Sequence, residues 1–303
     1  MDLSIVIPVY NEKESVTPLA EELTSVLQPL NLSYEVIFAD DGSSDGSSEI
    51  LKELAKKDSH FSSISLRKNF GKASALAGGF RKAKGDIIST LDADLQDDPK
   101  DLPRFLDKLK EGYDLVNGYR TRRRDPLSKR WPSNIFNRVL SVLGRVKLHD
   151  INCGFKVFRR EVLEEIPLSP GMHRYIPLFV HTAGYKVTEV KVSHRPRRFG
   201  RSKYGMIRFY HGFFDILSVL FLLYFRKKPL YLFGGIGTAF ILIGLAICVD
   251  LSIRWLKAGG QGIGNRPLLF LGILFIIVGT QFISTGLLGE MIASITRERG
   301  ERI

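Results

Sequence analysis

Two stretches without a charged side chain, residues 229–249 (21 residues) and 267–289 (23 residues), divide this chain of 303 residues before any other feature is considered. A helix crossing the hydrocarbon core of a bilayer needs about 20 predominantly apolar residues, and both stretches reach that length. Two buried core helices are the alternative, and the uninterrupted apolar length disfavours it. The short, Gly-rich loop 250–266 between the stretches would return the chain to its starting side. Both termini then share a compartment. The long preceding region carries no export signal, so the expected arrangement is a multi-pass protein of the plasma (inner) membrane with both termini cytoplasmic. Two cysteines, Cys153 and Cys248, fall in different regions and give no disulfide framework, which suits a reducing compartment.

The first 100 residues alternate in period. "LSIVIPVYNE" (3–12) is a continuous apolar run of strand type, and residues 14–27 follow with helical spacing of Val16, Leu19, Leu23 and Leu27. "YEVIFADDGSSDGS" (34–47), "FSSISLRKN" (61–69) and "DIISTLDAD" (86–94) read as further strands, with helices predicted over 47–55 and 72–83. This alternation predicts an α/β domain on a mostly parallel, Rossmann-like sheet. Such sheets bind ligands at the carboxyl ends of their strands. The polar clusters fall at those ends: Tyr10, Asn11 and Glu12 after the first strand, Asp40 and Asp41 after the second, Asp92 and Asp94 after the fourth.

If the fourth strand runs through Asp94, then Asp92 and Asp94 project from one face, with Ala93 turned away. Two carboxylates so placed repel unless a cation lies between them. A hard divalent ion accepts one or two carboxylates together with substrate phosphates and water. Asp97 and Asp98 read differently, as a solvated acidic turn or as caps for a helix near Pro99.

The formal net charge is +12, and it is local. Residues 119–147 hold nine Lys/Arg against one Asp, and residues 191–208 hold seven Lys/Arg and no acid. No nucleic-acid motif accompanies these blocks. Apolar residues do: Ile135, Phe136, Val139, Leu140, Leu143 and Val146 make a helical stripe over 131–147, and 204–225 is long, aromatic and nearly uncharged. Both segments fit helices lying in the headgroup layer of a bilayer, although for 131–147 a core-packing helix is an equal alternative.

The blocks "IVIPVYNE", "DDGSSDGS", "RKNFGKASAL" and "DADLQDDP", in this order, resemble glycosyltransferase family 2 enzymes of the GT-A fold. Within that family the resemblance is to the branch making polyprenyl-phosphate sugars, which includes bactoprenol glucosyltransferases and dolichyl-phosphate mannose synthases. It implies a cytoplasmic catalytic domain over 1–203, an interfacial helix over 204–228 and a membrane domain over 229–303, with spans near 229–250 and 267–290. It also implies roles. Pro8, Tyr10, Glu12, Asp40, Asp41, Lys72 and Asp92 would bind a nucleotide-sugar donor, and Asp92, Asp94 and Gln96 would surround Mg²⁺ or Mn²⁺ and the diphosphate. Arg120, Arg130, Ser133 and Asn137, with Arg197, Ser202 and Lys203 of "RRFGRSKY", would meet the acceptor phosphate. Asp94, Asp150 and Arg120 would carry catalysis, Asp150 as an orienting group or a base. Asn152, Cys153 and Lys156 depart here from the family's usual pattern around Gly154-Phe155.

The implied activity is inverting, metal-dependent transfer of a hexose, glucose from UDP-glucose first, to undecaprenyl or another polyprenyl phosphate. The alternatives are mannose from GDP-mannose, elongation of a polysaccharide, or a catalytically silent nucleotide-sugar-binding partner of a flippase. A flippase would also be the natural recipient of the lipid-linked product. No Q-x-x-R-W element of polysaccharide synthases is present. The glycines of the apolar stretches (Gly234, Gly235, Gly237, Gly286, Gly289) suit close helix packing, within one chain or between copies.

Overall fold

The computed structural model describes residues 1–121, 140–141, 144, 146–166, 172–196, 198–199, 208–225, 228–257 and 267–301. They fall into two compact units, Met1–Ile216 and Leu217–Ile303.

The first unit is built on a seven-stranded sheet of order β3-β2-β1-β4-β6-β5-β7, from β1 (Leu3–Val9), β2 (Tyr34–Asp40), β3 (Phe61–Ser65), β4 (Ile87–Thr90), β5 (Leu115–Arg120), β6 (Lys156–Arg159) and β7 (Val187–Val192). β1 pairs in parallel with both β2 and β4, β2 with β3, and β5 with β7; β6 alone runs antiparallel, between β4 and β5. The mostly parallel expectation holds. Helices α1 (Lys13–Leu27), α2 (Ser47–Lys57), α3 (Lys72–Lys82), α4 (Leu102–Lys110) and α5 (Ile176–Thr182) complete the unit.

Strand alternation sorts the apolar side chains. Leu3, Ile5, Ile7 and Val9 of β1 join Val36 and Phe38 of β2 in one cluster with Val16, Leu19 and Leu23 of α1. Val6, Ile37 and Ile88 point to the other face and pack with Leu76 and Phe80 of α3. A sheet covered on both faces needs apolar residues at successive positions, which is why β1 reads as a continuous run. Each such side chain contributes about 1.5–3 kcal/mol when fully buried. α3 lies so close to β1 that a Cβ on Gly79 would stand 2.2 Å from Val6.

One element differs from expectation. β4 ends at Thr90, so Asp92 and Asp94 lie on a turn rather than on the strand. Leu95 in that turn has φ +60°, a conformation rare for a side chain of its size. The 131–147 segment lies largely outside the described residues. At its end Leu140 and Val146 are buried, and Gly144 sits where a Cβ would meet Leu178 of α5 at 2.5 Å, which matches the core-packing reading there.

Helix α6 (Arg208–Tyr224) is apolar and leads into the second unit. That unit takes up the end of α6 from Leu217 and continues as a hairpin of α7 (Pro229–Lys257) and α8 (Pro267–Glu301). Each carries an apolar window of 18 residues of which 11% is buried within the protein, and each is long and apolar enough to cross a membrane. The two helices meet through glycines: a Cβ on Gly237 would lie 2.6 Å from the Gly279 carbonyl, and one on Gly244 2.5 Å from the Gly272 carbonyl.

Candidate active site

The C-terminal ends of β1, β2 and β4 lie side by side, with Val9 opposite Asp40 and Val6 opposite Thr90. An open cleft of about 1080 Å³, including the solvent at its mouth, occupies this rim and is lined by Pro8, Tyr10, Glu12, Asp41, Lys72, Asp92 and Asp94, joined by Val9, Asn69, Gly71 and Ala93. Of the expected donor residues, the structure gathers every one except Asp40.

The loops behind the cleft interlock through side-chain bonds. Asn11, held at φ +51°, accepts the Ser44 N–H at 2.8 Å, while its own N–H donates to Ser43 Oγ at 2.9 Å. The Glu12 N–H donates to Ser47 Oγ at 3.1 Å, and the Lys13 N–H to Asp45 at 3.0 Å. Burial would raise the Asp45 carboxyl, but the Ser47 hydroxyl and N–H, with the Lys13 N–H, outweigh it and hold it below its ordinary value. Asp40, 1% exposed, accepts the Ser43 N–H at 3.0 Å and the Ser48 hydroxyl. Its carboxylate organises the turn, and Asp41 is the neighbour that reaches the cleft. Asp41 in turn receives the N–H groups of Phe70 (2.8 Å) and Gly71 (2.9 Å), fixing the loop that delivers Lys72. Gly42, at φ +73°, lets this turn approach that loop: a Cβ there would stand 2.6 Å from the Lys68 backbone.

Lys72 forms an ion pair with Asp92. Burial pushes the Asp92 carboxyl upward, yet Lys72, with Lys156 behind it, outweighs that and holds it below its ordinary range. Gly154 faces this carboxylate, and a Cβ there would lie 2.7 Å from it. The Asp94 carboxylate, on the same cleft, accepts the Gln96 N–H at 3.2 Å. Gln96 does not line the cleft; its side-chain amide donates to the Arg195 carbonyl at 3.4 Å. Asp98 caps Lys100, as the sequence suggests, but Asp97 is 4% exposed and not solvated.

Among the described residues there is no preformed cluster of three acidic, His or Cys side chains for a metal. The donor set that is present, two carboxylates on an open cleft, fits a hard divalent cation that completes its shell with phosphate oxygens and water.

A smaller cavity adjoins the cleft across Lys72 and Asp92, walled by Thr90, Asn152, Gly154 and Lys156 together with His173 and Arg174, two residues that no sequence pattern singles out. Burial lowers His173 to about 2, reinforced by Lys72, Arg174 and Lys156, so its imidazole is neutral. Burial also lowers Lys156 to about 8, and its ammonium donates to the Cys153 carbonyl. The Cys153 thiol is raised to about 12 by burial and by Asp97, which makes it an unreactive core group. No periodic pattern marks these residues, because β6 and the segment before α5 bring them in from distant sequence.

Arg120, at the end of β5, is clasped by Asp150: Nε donates to one carboxylate oxygen at 2.7 Å and a terminal nitrogen to the other at 3.1 Å. Asp150 is 1% exposed. Burial opposes the Arg120 charge, but this carboxylate outweighs it and holds the guanidinium above its ordinary value. Both carboxylate oxygens are engaged, which fits the orienting role and leaves the base role without geometric support. Arg130, Ser133, Asn137, Arg197, Ser202 and Lys203 lie outside the described residues.

Known proteins decide the family. The family model "Glycosyl transferase family 2" matches residues 4–167. This chain belongs to glycosyl transferase family 2. It is 36% identical, over 97% of its own length and 88% of theirs, to the undecaprenyl-phosphate 4-deoxy-4-formamido-L-arabinose transferases of Yersinia pestis (strain Pestoides F) and Yersinia pseudotuberculosis serotype O:3. Its fold is shared with glucosyl-3-phosphoglycerate synthase from Mycobacterium tuberculosis in complex with phosphoglyceric acid (TM-score 0.57, 20% identity, 73% of this chain and 79% of that one). The same synthase has been solved with Mn²⁺, UDP-glucose and phosphoglyceric acid (TM-score 0.56, 20% identity, 73% and 79%) and with Mg²⁺ and UDP (TM-score 0.56, 21% identity, 72% and 78%). The GT-A architecture expected from the sequence is the one observed.

Proposed function

We propose that this family 2 protein transfers one sugar from a nucleotide-sugar to a polyprenyl phosphate, undecaprenyl phosphate first among them, at the cytoplasmic face of a membrane that it spans twice. The observation that carries this reading is the pairing of a strand-end cleft lined by Asp92, Asp94 and Lys72 with a separate arginine, Arg120, oriented by a buried carboxylate. One region suits a diphosphate, the other a second phosphate.

Pro8, Tyr10, Glu12 and Asp41 would receive the nucleoside, and Lys72 would face the diphosphate. Asp92 and Asp94 would hold Mg²⁺ or Mn²⁺, which when bound would take up the negative charge that develops as the sugar–phosphate bond breaks; Gln96, turned to Arg195, would not join them. Arg120, its fork held by Asp150, would supply a fixed positive charge to the acceptor phosphate, joined by Arg130, Ser133, Asn137, Arg197, Ser202 and Lys203. A phosphate monoester, with a second pKa of about 6, is already largely dianionic at neutral pH. No base is then required, in keeping with an Asp150 committed to Arg120. A single in-line displacement inverts the anomeric centre.

The donor has two readings. The resemblance to bactoprenol glucosyltransferases supports UDP-glucose; the names of the relatives at 36% identity support a nucleotide-linked 4-deoxy-4-formamido-L-arabinose. Purified protein supplied with undecaprenyl phosphate and each donor in turn should release nucleoside diphosphate only when the lipid is present, and the mass of the lipid product names the sugar. Release without lipid, or none with either donor and lipid, counts against the proposal.

A further inference from the structure

The acidic turn is braced from behind by the three residues that follow β7. The Ser193 N–H donates to Asp101 at 2.7 Å, and His194 forms an isolated antiparallel bridge with Asp97, its Nδ1 standing 3.8 Å from the Asp97 carboxylate. Arg195 is the centre of the contact. Its N–H donates to the Gln96 carbonyl at 2.8 Å, and its own carbonyl accepts the Gln96 side-chain amide. Its guanidinium donates to both carboxylate oxygens of Glu22 on α1, at 2.7 and 3.0 Å, and pairs with Asp98 at 2.6 Å. Through these bonds α1, the post-β7 segment and the turn are tied at one point.

The turn has reason to need a brace. Leu95 at φ +60° is a strained residue, of a kind that costs about 1–3 kcal/mol and persists only where its surroundings over-determine it. Leu95 lies between Asp94 and Gln96, and the Gln96 N–H is the group that the Asp94 carboxylate accepts. The carbonyl of that same Gln96 is held by Arg195. The physical chain therefore runs from Glu22 through Arg195 and Gln96 to Asp94.

We propose that Arg195 is a positioning residue: its guanidinium, fixed to Glu22 and Asp98, keeps its own backbone bonded to Gln96 and so holds the strained turn with the Asp94 carboxylate facing the cleft before any ligand arrives. Arg195 touches no reacting group itself. This inference uses the proposed metal role of Asp94 for one readout and is independent of it for the other.

Two measurements on the full-length protein test it, with Arg195→Met, Arg195→Lys and Glu22→Gln. In hydrogen exchange, amides of residues 94–98 should exchange faster in Arg195→Met with neither metal nor nucleotide present, while β1 and β2 keep parental protection. In titrations with Mn²⁺ plus UDP, followed by the signal of free Mn²⁺, Arg195→Met should weaken binding by about tenfold, the scale on which residues supporting metal ligands act. Arg195→Lys, which keeps the charge and loses the fork, should recover part of that loss, and Glu22→Gln should show a smaller one. Parental exchange at 94–98 in a folded Arg195→Met protein overturns the proposal, as does parental Mn²⁺ affinity. A parent protein that binds no Mn²⁺ with UDP contradicts the metal reading of Asp94 instead, and the exchange result then decides the brace alone.

Discussion

The rim of the sheet and the helical hairpin solve opposite packing problems. At the rim, side chains with oxygen atoms hold loops against each other: Asn11 to Ser44, Asp41 to two consecutive N–H groups, Asp150 to both ends of the Arg120 fork. In the hairpin the contact is made where side chains are missing, at Gly237 against Gly279 and Gly244 against Gly272. In water, burying apolar surface drives packing and polar bonds select the geometry. For helices placed in lipid, as proposed for this hairpin, the tails are as apolar as leucine, so close backbone approach and dispersion do the work. Charge should therefore govern changes at the rim, and volume should govern changes in the hairpin.

Several substitutions would break or sharpen this contrast. Asp94→Ala should have the largest effect on function, lowering sugar transfer by about 10³-fold while thermal unfolding of the soluble unit is unchanged; residual transfer near the parental rate would remove Asp94 from the site. Arg120→Ala removes a two-bond cationic partner from the nearly inaccessible Asp150 carboxylate and should cost about 3–5 kcal/mol of stability, read by denaturant titration, because breaking a buried ion pair from one side is the expensive case. Gly279→Val tests the other side: it should separate α7 from α8 and lower the hairpin's resistance to detergent, with nucleotide binding by the soluble unit preserved.

Lys156 gives a test by pH. Its folded pKa of about 8 lies below the ordinary 10.5, so at neutral pH the folded protein carries a buried cation that the unfolded chain keeps in water. The unfolded state binds more protons between those values, so stability should rise as pH goes from about 8 to 10.5 and fall as pH drops back through about 8. In Lys156→Met that rise should vanish; an unchanged pH profile would exclude Lys156 as its source. Gly154→Ala should act most gently. The added methyl meets the Asp92 carboxylate, a movable end, and about tenfold weaker donor binding with an unaltered melting temperature is expected.

Much of this was legible in residue order. The apolar runs of β1 and β2 announce a sheet covered on both faces, and the two uncharged stretches announce the hairpin, because both signals are local periodicities. The polar clusters after β1, β2 and β4 pointed to one rim through a general property of parallel sheets, and Tyr10, Glu12, Asp41, Lys72, Asp92 and Asp94 do line one cleft. Strand length differs at "DIISTLDAD": the pattern continues to Asp94, but β4 ends at Thr90 and the chain turns at Ala93 and Asp94, so both carboxylates lie beyond the strand. Asp40 and Asp41 are indistinguishable in sequence, and only packing assigns the first to the turn and the second to the cleft.

What the amino-acid order determined by itself was the class of each segment, since helix, strand and span follow from where apolar side chains recur along a few turns of chain. Which partners each polar group found was settled in three dimensions. Asp150 meets Arg120 from 30 residues away and Arg195 meets Glu22 from 173. Pairings across such distances depend on how β6 and β7 enter the sheet, because hydrogen bonds and ion pairs act over a few ångströms of space and leave no period in the chain.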